Sequence, residues 1–397
     1  MAMIDKIKDA KRVLDEVVRE TALIPAPAIN PDAEIYLKCE NLQLTGSFKV
    51  RGAYYRIANL TEEEKSHGVI ACSAGNHAQG VALAAQKFGI GATICIPSVA
   101  PLSKIMATKS YGANVVLCDG VYDDAYAKAV EIQKNEGRTF IHPFNDEDVI
   151  AGQGTIGLEI LKQLPDADAV IVPIGGGGLI SGVASAIKAI NPNCKVYGVQ
   201  AAGAPSMKES LDAGKIVTLD SVNTIADGIA VKTPGTLTFD ICSQCVDEVV
   251  TVTEEEISVA ILTLIEKQKT VAEGAGATTV AAAMFHKVDI KGKKVVCVVS
   301  GGNIDVNILS RVLNKGLIKS GRLLEITTEI VDKPGQLNTL LSLISSTGAN
   351  ILSINHNRYT ADLSVNMCQV NLVLETKSPE HVQNIYELLE ANGYHHS

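Results

Sequence analysis

The sequence predicts an α/β protein in which parallel sheets are sandwiched between helices over most of the chain, followed by a small separate α+β unit. The first observation is a rhythm: from about residue 35 to 310, short β-branched runs alternate with helix-spaced stretches. "GVIACSA" precedes "HAQGVALAAQKFG", "GATICIPS" precedes "PLSKIMATKSYG", and "DAVIVPIGG" precedes "LISGVASAIKAI". Continuously apolar strands separated by helices are the pattern of parallel sheets covered on both faces. The second observation is where the rhythm stops, near "LNKGLIKSGR". Beyond it the pattern changes to strand, turn, helix, strand, strand and helix, a unit able to form its own core.

Taken in order, "MAMIDKIKDAKRVLDEVVRE" sets apolar residues at helical spacing among both signs of charge. It is an amphipathic helix without the apolar centre of a signal peptide. "ANVVLCDG" then "VYDDAYAKAVEIQKNEG" continue the alternation, and "CKVYGVQ" and "KKVVCVVSGGN" are further strands. The run from Ala169, "AVIVPIGGGGLISGVASAI", is long enough to span a membrane, but its proline and four glycines predict a buried strand, a loop and a buried helix. The last unit reads as strand "LLEITTEIV", turn "DKPG", helix "QLNTLLSLISSTG", strands "ANILSINHN" and "NMCQVNLVLET", and helix "SPEHVQNIYELLEANG". The expected boundaries are a main domain over 1–315, a linker over 316–322 and a terminal domain over 323–397.

Composition narrows the partners. A chain of 397 residues with 46% hydrophobic and 20% charged residues can bury large cores. A net charge of -9 speaks against nucleic acid or an anionic membrane surface, leaving small molecules as the expected ligands. The nine cysteines lie mostly in strand-like runs, as in a reduced cytoplasmic protein. Cys242 and Cys245 form a C-x-x-C pair with no second pair or histidine nearby, so ordinary burial is expected and no metal site is assigned.

In parallel sheets, ligands bind beyond the C-terminal ends of the strands. Three signatures fall there: "SAGNHAQG" from Ser73, "GGGGL" from Gly175, and "SGGN" from Ser300. At Gly175, Gly176, Gly177 and Gly178 the absence of Cβ atoms lets backbone approach a ligand, and the helix opening at Leu179 presents amides to a phosphate. The loop is neither the dinucleotide fingerprint nor the P-loop, which favours a phosphorylated ligand other than a nucleotide. A fourth stretch, "LTGSFKVRGA", places Lys49 at the start of a helix. It reads either as an exposed first-turn residue behind a Ser47 cap, or as an amine that Phe48 and its apolar neighbours desolvate for attack on an aldehyde cofactor.

Together and in this order, "GSFKVRGA", "SAGNHAQGVA", "GGGGL" and "SGGN" resemble the pyridoxal-phosphate enzymes of the tryptophan-synthase-β fold type, most closely the threonine dehydratases, or threonine ammonia-lyases. The resemblance spans residues 1 to about 315. It implies two parallel-sheet subdomains, the smaller over about 50–150, with pyridoxal phosphate in the cleft between them. It also implies that Lys49 carries the cofactor and removes the Cα proton, beside Phe48. Gly175 to Gly178 and Leu179 would hold the phosphate, Asn76 the phenolic oxygen, and Ser73, Ala74, Gly75 and Asn76 the substrate carboxylate. Ser300 would face the pyridine nitrogen. Glu273, in "AEGAGA", matches a cofactor-pocket carboxylate and reads equally well as a helix N-terminal acid. His77 is read as structural, and Asp227 as a turn residue rather than a cation ligand.

The implied reaction converts L-threonine, and more slowly L-serine, to a keto acid and ammonia. Serine racemases and serine dehydratases are the nearest alternatives. Racemases resembling this chain carry a second serine where Ala74 stands, and alanine has no proton to give. A non-catalytic amino-acid sensor would have no use for Lys49. The C-terminal segment resembles the ferredoxin-like ACT regulatory domains, through "DKPGQLNTLL" and "ANILSINHNR". That implies an amino-acid or nucleotide effector near Gly335, Gln336 and Leu337, and a homodimer or homotetramer. After the last helix, "GYHHS" leaves little of the usual final strand.

Overall fold

The computed structural model describes residues 2–359 and 363–395. The chain divides into two units, Met1–Val306 and Asn307–Ser397.

The first unit contains two sheets. In the larger, Glu34–Cys39, Lys294–Val299, Ala169–Pro173, Lys195–Ala201 and Glu248–Val252 run parallel in that spatial order, with Leu23–Pro25 antiparallel at the first edge. The smaller sheet orders Asn114–Cys118, Ala92–Pro97, Val69–Cys72 and Thr139–Phe140, all parallel. Every residue of Val69–Cys72, Ala92–Pro97 and Ala169–Pro173 is buried, as helices on both faces require. Val170, Val172, Val296 and Val298 meet Ile180, Val183 and Ile187 of the helix Gly178–Ile190. Each such side chain stabilises the fold by about 1.5–3 kcal/mol.

Local chemistry sets the helices that matter for the site. Asp146 caps the helix Glu147–Gln163 by accepting from the Asp148 and Val149 amides at 2.8 and 3.0 Å. Against this helix lies Lys49–Ala58. A Cβ on Gly152 would sit 2.6 Å from the Gly52 Cα, so the two backbones touch and no larger residue fits. The first turn of Lys49–Ala58 is thereby held rigidly.

The helix Val306–Lys319 starts on the last residue of the first unit and otherwise belongs to the second. Residues 316–319, expected as linker, are its last turn, and the division falls earlier, at Val306. The reading of "LNKGLIKSGR" as a polar connector overlooked that Val312 and Gly316 are i,i+4 and both buried. The helix gives way at Gly321, which turns with φ +66°. Strands Leu323–Val331, Asn350–Asn357 and Met367–Glu375 then form an antiparallel sheet with Met367–Glu375 in the centre. Leu324, Ile326, Val370 and Leu372 pack with Leu340 and Ile344 of Gln336–Ser346 and Ile385 of Pro379–Ala391. Among the described residues no strand follows the last helix. The Thr328 hydroxyl donates to the His395 carbonyl at 2.6 Å, while His396 and Ser397 of "GYHHS" lie outside the described residues. Among the described residues no helix is long and apolar enough to cross a membrane.

Candidate active site

The turn carrying Lys49 is zipped against the segment that follows the strand Lys294–Val299. Ser47 bridges Gly301, the Phe48 amide donates to the Ser300 carbonyl at 3.1 Å, and the Gly302 amide donates to the Gly46 carbonyl at 2.9 Å. Ser47 is not a helix cap: the N-cap position is Phe48, without a side-chain bond, and among the described residues the buried Ser47 hydroxyl has no partner. Lys49 is the first helical residue, partly buried, with its Nζ 5.3 Å from the centre of the Phe48 ring. Its ammonium donates to the Pro143 carbonyl at 2.8 Å. Burial pulls its pKa down to about 8, against the opposing pull of the Glu273 charge. An amine so placed is neutral far more often than an ordinary lysine, the state that attacks a carbonyl.

The glycine loop lies close by, joined to Lys49 through residues 143–144. Gly175, Gly176 and Gly177 follow the strand Ala169–Pro173, and Gly178 begins the helix Gly178–Ile190 that continues through Leu179. Gly177 turns with φ +97°, a conformation that L side chains rarely adopt. A Cβ on Gly176 would stand 2.4 Å from the Phe144 ring, and one on Gly178 would stand 2.8 Å from the Phe144 Cα. The Thr238 hydroxyl closes the loop from behind by donating to the Gly176 carbonyl at 2.6 Å. What remains is a bare backbone cradle at a helix N-terminus, suited to a phosphate.

"SAGNH" follows the strand Val69–Cys72 and turns into the helix Asn76–Phe88. Ser73, Ala74, Gly75 and Asn76 are all partly buried, and the Gly75 amide donates to the Ser73 hydroxyl at 3.1 Å. The first-turn amides of that helix offer a place for a carboxylate. Asn76 joins two other segments: its Nδ2 donates to Glu273 Oε1 at 2.7 Å, and its Oδ1 accepts from Asn303 Nδ2 at 2.8 Å. Asn303 Nδ2 also donates to the Thr45 carbonyl at 2.7 Å. Glu273 stands at the N-cap of Gly274–Met284 but makes no side-chain cap bond; its carboxylate turns to Asn76 instead. Burial pushes that carboxyl up to about 7, the Asp227 charge adds to the rise, and the Asn76 bond opposes it. Asp227 is paired with Lys104, as suits a turn aspartate. Ser300 is buried at the end of its strand. His77 is also buried, its ring on the Ile141 carbonyl at 2.8 Å; burial, with the Lys49 charge adding to it, pushes its pKa down to about 3, so it stays neutral.

Thus Lys49, Phe48, Asn76, Glu273, Ser300 and the glycine loop meet at one edge of the two sheets. Three contributors escaped the sequence reading. Pro143 and Phe144 sit in "HPFND", just beyond the strand Thr139–Phe140, where the strand-end rule would have looked. Asn303 is the last letter of "SGGN" and needed only to be read as a side chain rather than as part of a turn. The third is a buried ionic cluster under the Lys49 helix: Arg51 forks onto Glu40 and Glu159 at 2.7 Å each, and Lys38 meets Glu159 at 2.7 Å.

Cys242 is fully buried, its thiol raised to about 12 by burial, and the described structure leaves all nine cysteines unpaired. In the second unit, Gly335 (φ +90°) caps the helix Gln336–Ser346. A cavity of about 280 Å³ is lined by Gly335 and Leu337, whereas Gln336 does not line it.

Residues 14–301 match the family model described as pyridoxal-phosphate dependent enzyme. The chain is 54% identical over 396 residues to an L-threonine ammonia-lyase of Thermotoga maritima, covering 99% of this chain and 98% of that one. A catabolic L-threonine dehydratase of Escherichia coli is 48% identical over 313 residues, 78% of this chain and 95% of its own. Among solved structures, the processed threonine deaminase isoform 2 of Solanum lycopersicum superposes with a TM-score of 0.76 at 40% identity, over 80% of this chain and 88% of that one.

Proposed function

The chain belongs to the pyridoxal-phosphate-dependent enzymes, and from that premise we propose that it dehydrates and deaminates L-threonine to 2-oxobutanoate and ammonia, with L-serine to pyruvate as a side activity. The observation that carries the reading is Lys49, a partly buried amine of lowered pKa lying across from a bare glycine cradle. Pyridoxal phosphate, when bound, supplies an aldehyde for an amine and a conjugated ring that draws electrons from the substrate Cα. The chain's own residues do the rest. Gly175 to Gly178 and Leu179 would hold the phosphate through backbone amides.

Lys49 Nζ would take the proton from the substrate Cα, and its lowered pKa suits that role near neutral pH. The turn Ser73–Gly75 orients the substrate carboxylate, while Asn76, tethered by Glu273 and Asn303, is held for the phenolic oxygen. Ser300 would offer the pyridine nitrogen a hydroxyl, which could not protonate that nitrogen as an acid would and so would favour prompt loss of the β-hydroxyl over transamination. Ala74 supplies no proton for inversion, which supports elimination over racemisation. The second unit, with its cavity at the first strand-to-helix turn, supports a regulatory domain that takes an amino-acid or nucleotide effector at Gly335 and Leu337. We place the enzyme in the cytoplasm as a homodimer or homotetramer.

The deciding experiment compares keto-acid release from L-threonine and L-serine by wild type and Lys49→Ala. Wild type is expected to show the higher kcat/KM on threonine, and the variant to lose at least about 10²–10⁴-fold in turnover. Absence of keto acid from either substrate in cofactor-saturated enzyme would overturn the assignment.

A further inference from the structure

The second unit brings a carboxylate, an imidazole and a thiol together. One ligand atom from each of Asp332, His356 and Cys368 lies within 4.8 Å of the other two. Sheet register puts them there. Cys368 faces Ile330 across one ladder, and Asp332, two residues after Ile330, lies just past the end of that strand. His356 faces Val370 across the other, which makes it the diagonal neighbour of Cys368 on the same side of the sheet. No local spacing in the sequence announces such a trio, because two members come from different strands and the third from the turn after another.

His356 Nε2 lies 2.8 Å from Cys368 Sγ. Two lone-pair atoms that close repel unless a proton or a cation is shared between them. Asp332 is held by a two-point fork, Arg358 Nε at 2.7 Å and Nη2 at 3.0 Å. The fork leaves a second lone pair on each carboxylate oxygen. All three residues belong to the 280 Å³ cavity beside the turn 332–335.

We propose that Asp332, His356 and Cys368 form a three-ligand site for a divalent ion of the zinc class. Thiolate plus imidazole selects zinc or cobalt over magnesium or calcium, which prefer oxygen throughout. Bond lengths of about 2.0–2.3 Å in a tetrahedral site put ligand atoms roughly 3.3–3.7 Å apart, so His356 and Cys368 need to part by less than about 1 Å. On binding, the Cys368 thiol proton leaves to solvent and the thiolate joins the metal. The negative charges of thiolate and carboxylate balance the ion, with Arg358 behind the carboxylate as an orienting partner. The fourth position opens on the cavity, as in sites that accept an exchangeable ligand.

The test uses the full-length, untagged holoenzyme, stripped of metal by a chelator and titrated with Co²⁺. One equivalent is expected to bind, with a thiolate-to-cobalt band in the near ultraviolet and visible bands of tetrahedral strength. Cys368→Ser should abolish the near-ultraviolet band, and His356→Ala should weaken uptake at least about tenfold. Cys245→Ser, at a cysteine in the other unit, should leave the band in place. Unchanged keto-acid release and circular dichroism verify that the site variants are folded. No saturable uptake by wild type, uptake without the thiolate band, or a band that survives Cys368→Ser would each overturn the proposal. The cobalt uptake and the thiolate band do not depend on the identity of the catalysed reaction.

Discussion

At Lys49 two requirements pull against each other. The amine must be neutral to attack a carbonyl, yet an ordinary lysine titrates near 10.5. Burial resolves the conflict by disfavouring the charge, and the Pro143 carbonyl accepts a hydrogen bond from the ammonium. The sign is testable. With a pKa of about 8, the reactive fraction grows as pH rises and saturates above that value. Uptake of pyridoxal phosphate by the apoenzyme, followed by its visible absorbance, should slow about tenfold per pH unit below 8 and level off above it. A rate that keeps climbing to pH 10 would show an unperturbed amine. Glu273 moves the opposite way for the same reason: burial raises it to about 7, so near neutrality it is a mixture of carboxyl and carboxylate beside Asn76.

At the scale of elements, glycine and charge place the site. Gly176→Ala drives a methyl into the Phe144 ring, 2.4 Å from the ideal Cβ, and should weaken cofactor binding by more than about tenfold, or 1.4 kcal/mol. Unchanged affinity in a spectroscopic titration would remove the phosphate from this loop. Beneath the Lys49 helix, Glu159→Ala leaves Lys38 and Arg51 buried with Glu40 alone, at an expected cost of about 3–5 kcal/mol, read as a lowered thermal midpoint. These elements also divide what the sequence disclosed from what it withheld. The strand-to-helix alternation and the glycine loop were legible, because strand ends in a parallel sheet share one edge whatever the details of packing. The ionic cluster was not: Lys38 lies within a strand and Glu40 just after it, and Glu159, 121 residues from Lys38, has no local signal that pairs it with them. Ser47 misled for a related reason, since a serine before a helix looks like a cap until backbone pairing with Gly301 takes the segment elsewhere.

For the whole molecule, the question is whether chemistry and its proposed regulation are separable. Met1–Val306 holds both parallel sheets and every residue assigned to the reaction, and Asn307–Ser397 has its own core. A domain with its own core can fold alone. The division falls inside the helix Val306–Lys319, so that helix belongs in any truncation that aims to be fair. A chain ending at Gly321 should therefore take up pyridoxal phosphate and release 2-oxobutanoate from threonine within about threefold of the full-length rate, as an independently folding domain would. Any response of the full chain to isoleucine, valine or nucleotides should vanish in the truncated form, because the Gly335 and Leu337 cavity goes with it. If truncation abolishes turnover while cofactor uptake persists, the second unit takes part in assembling the active site and is not merely a regulator.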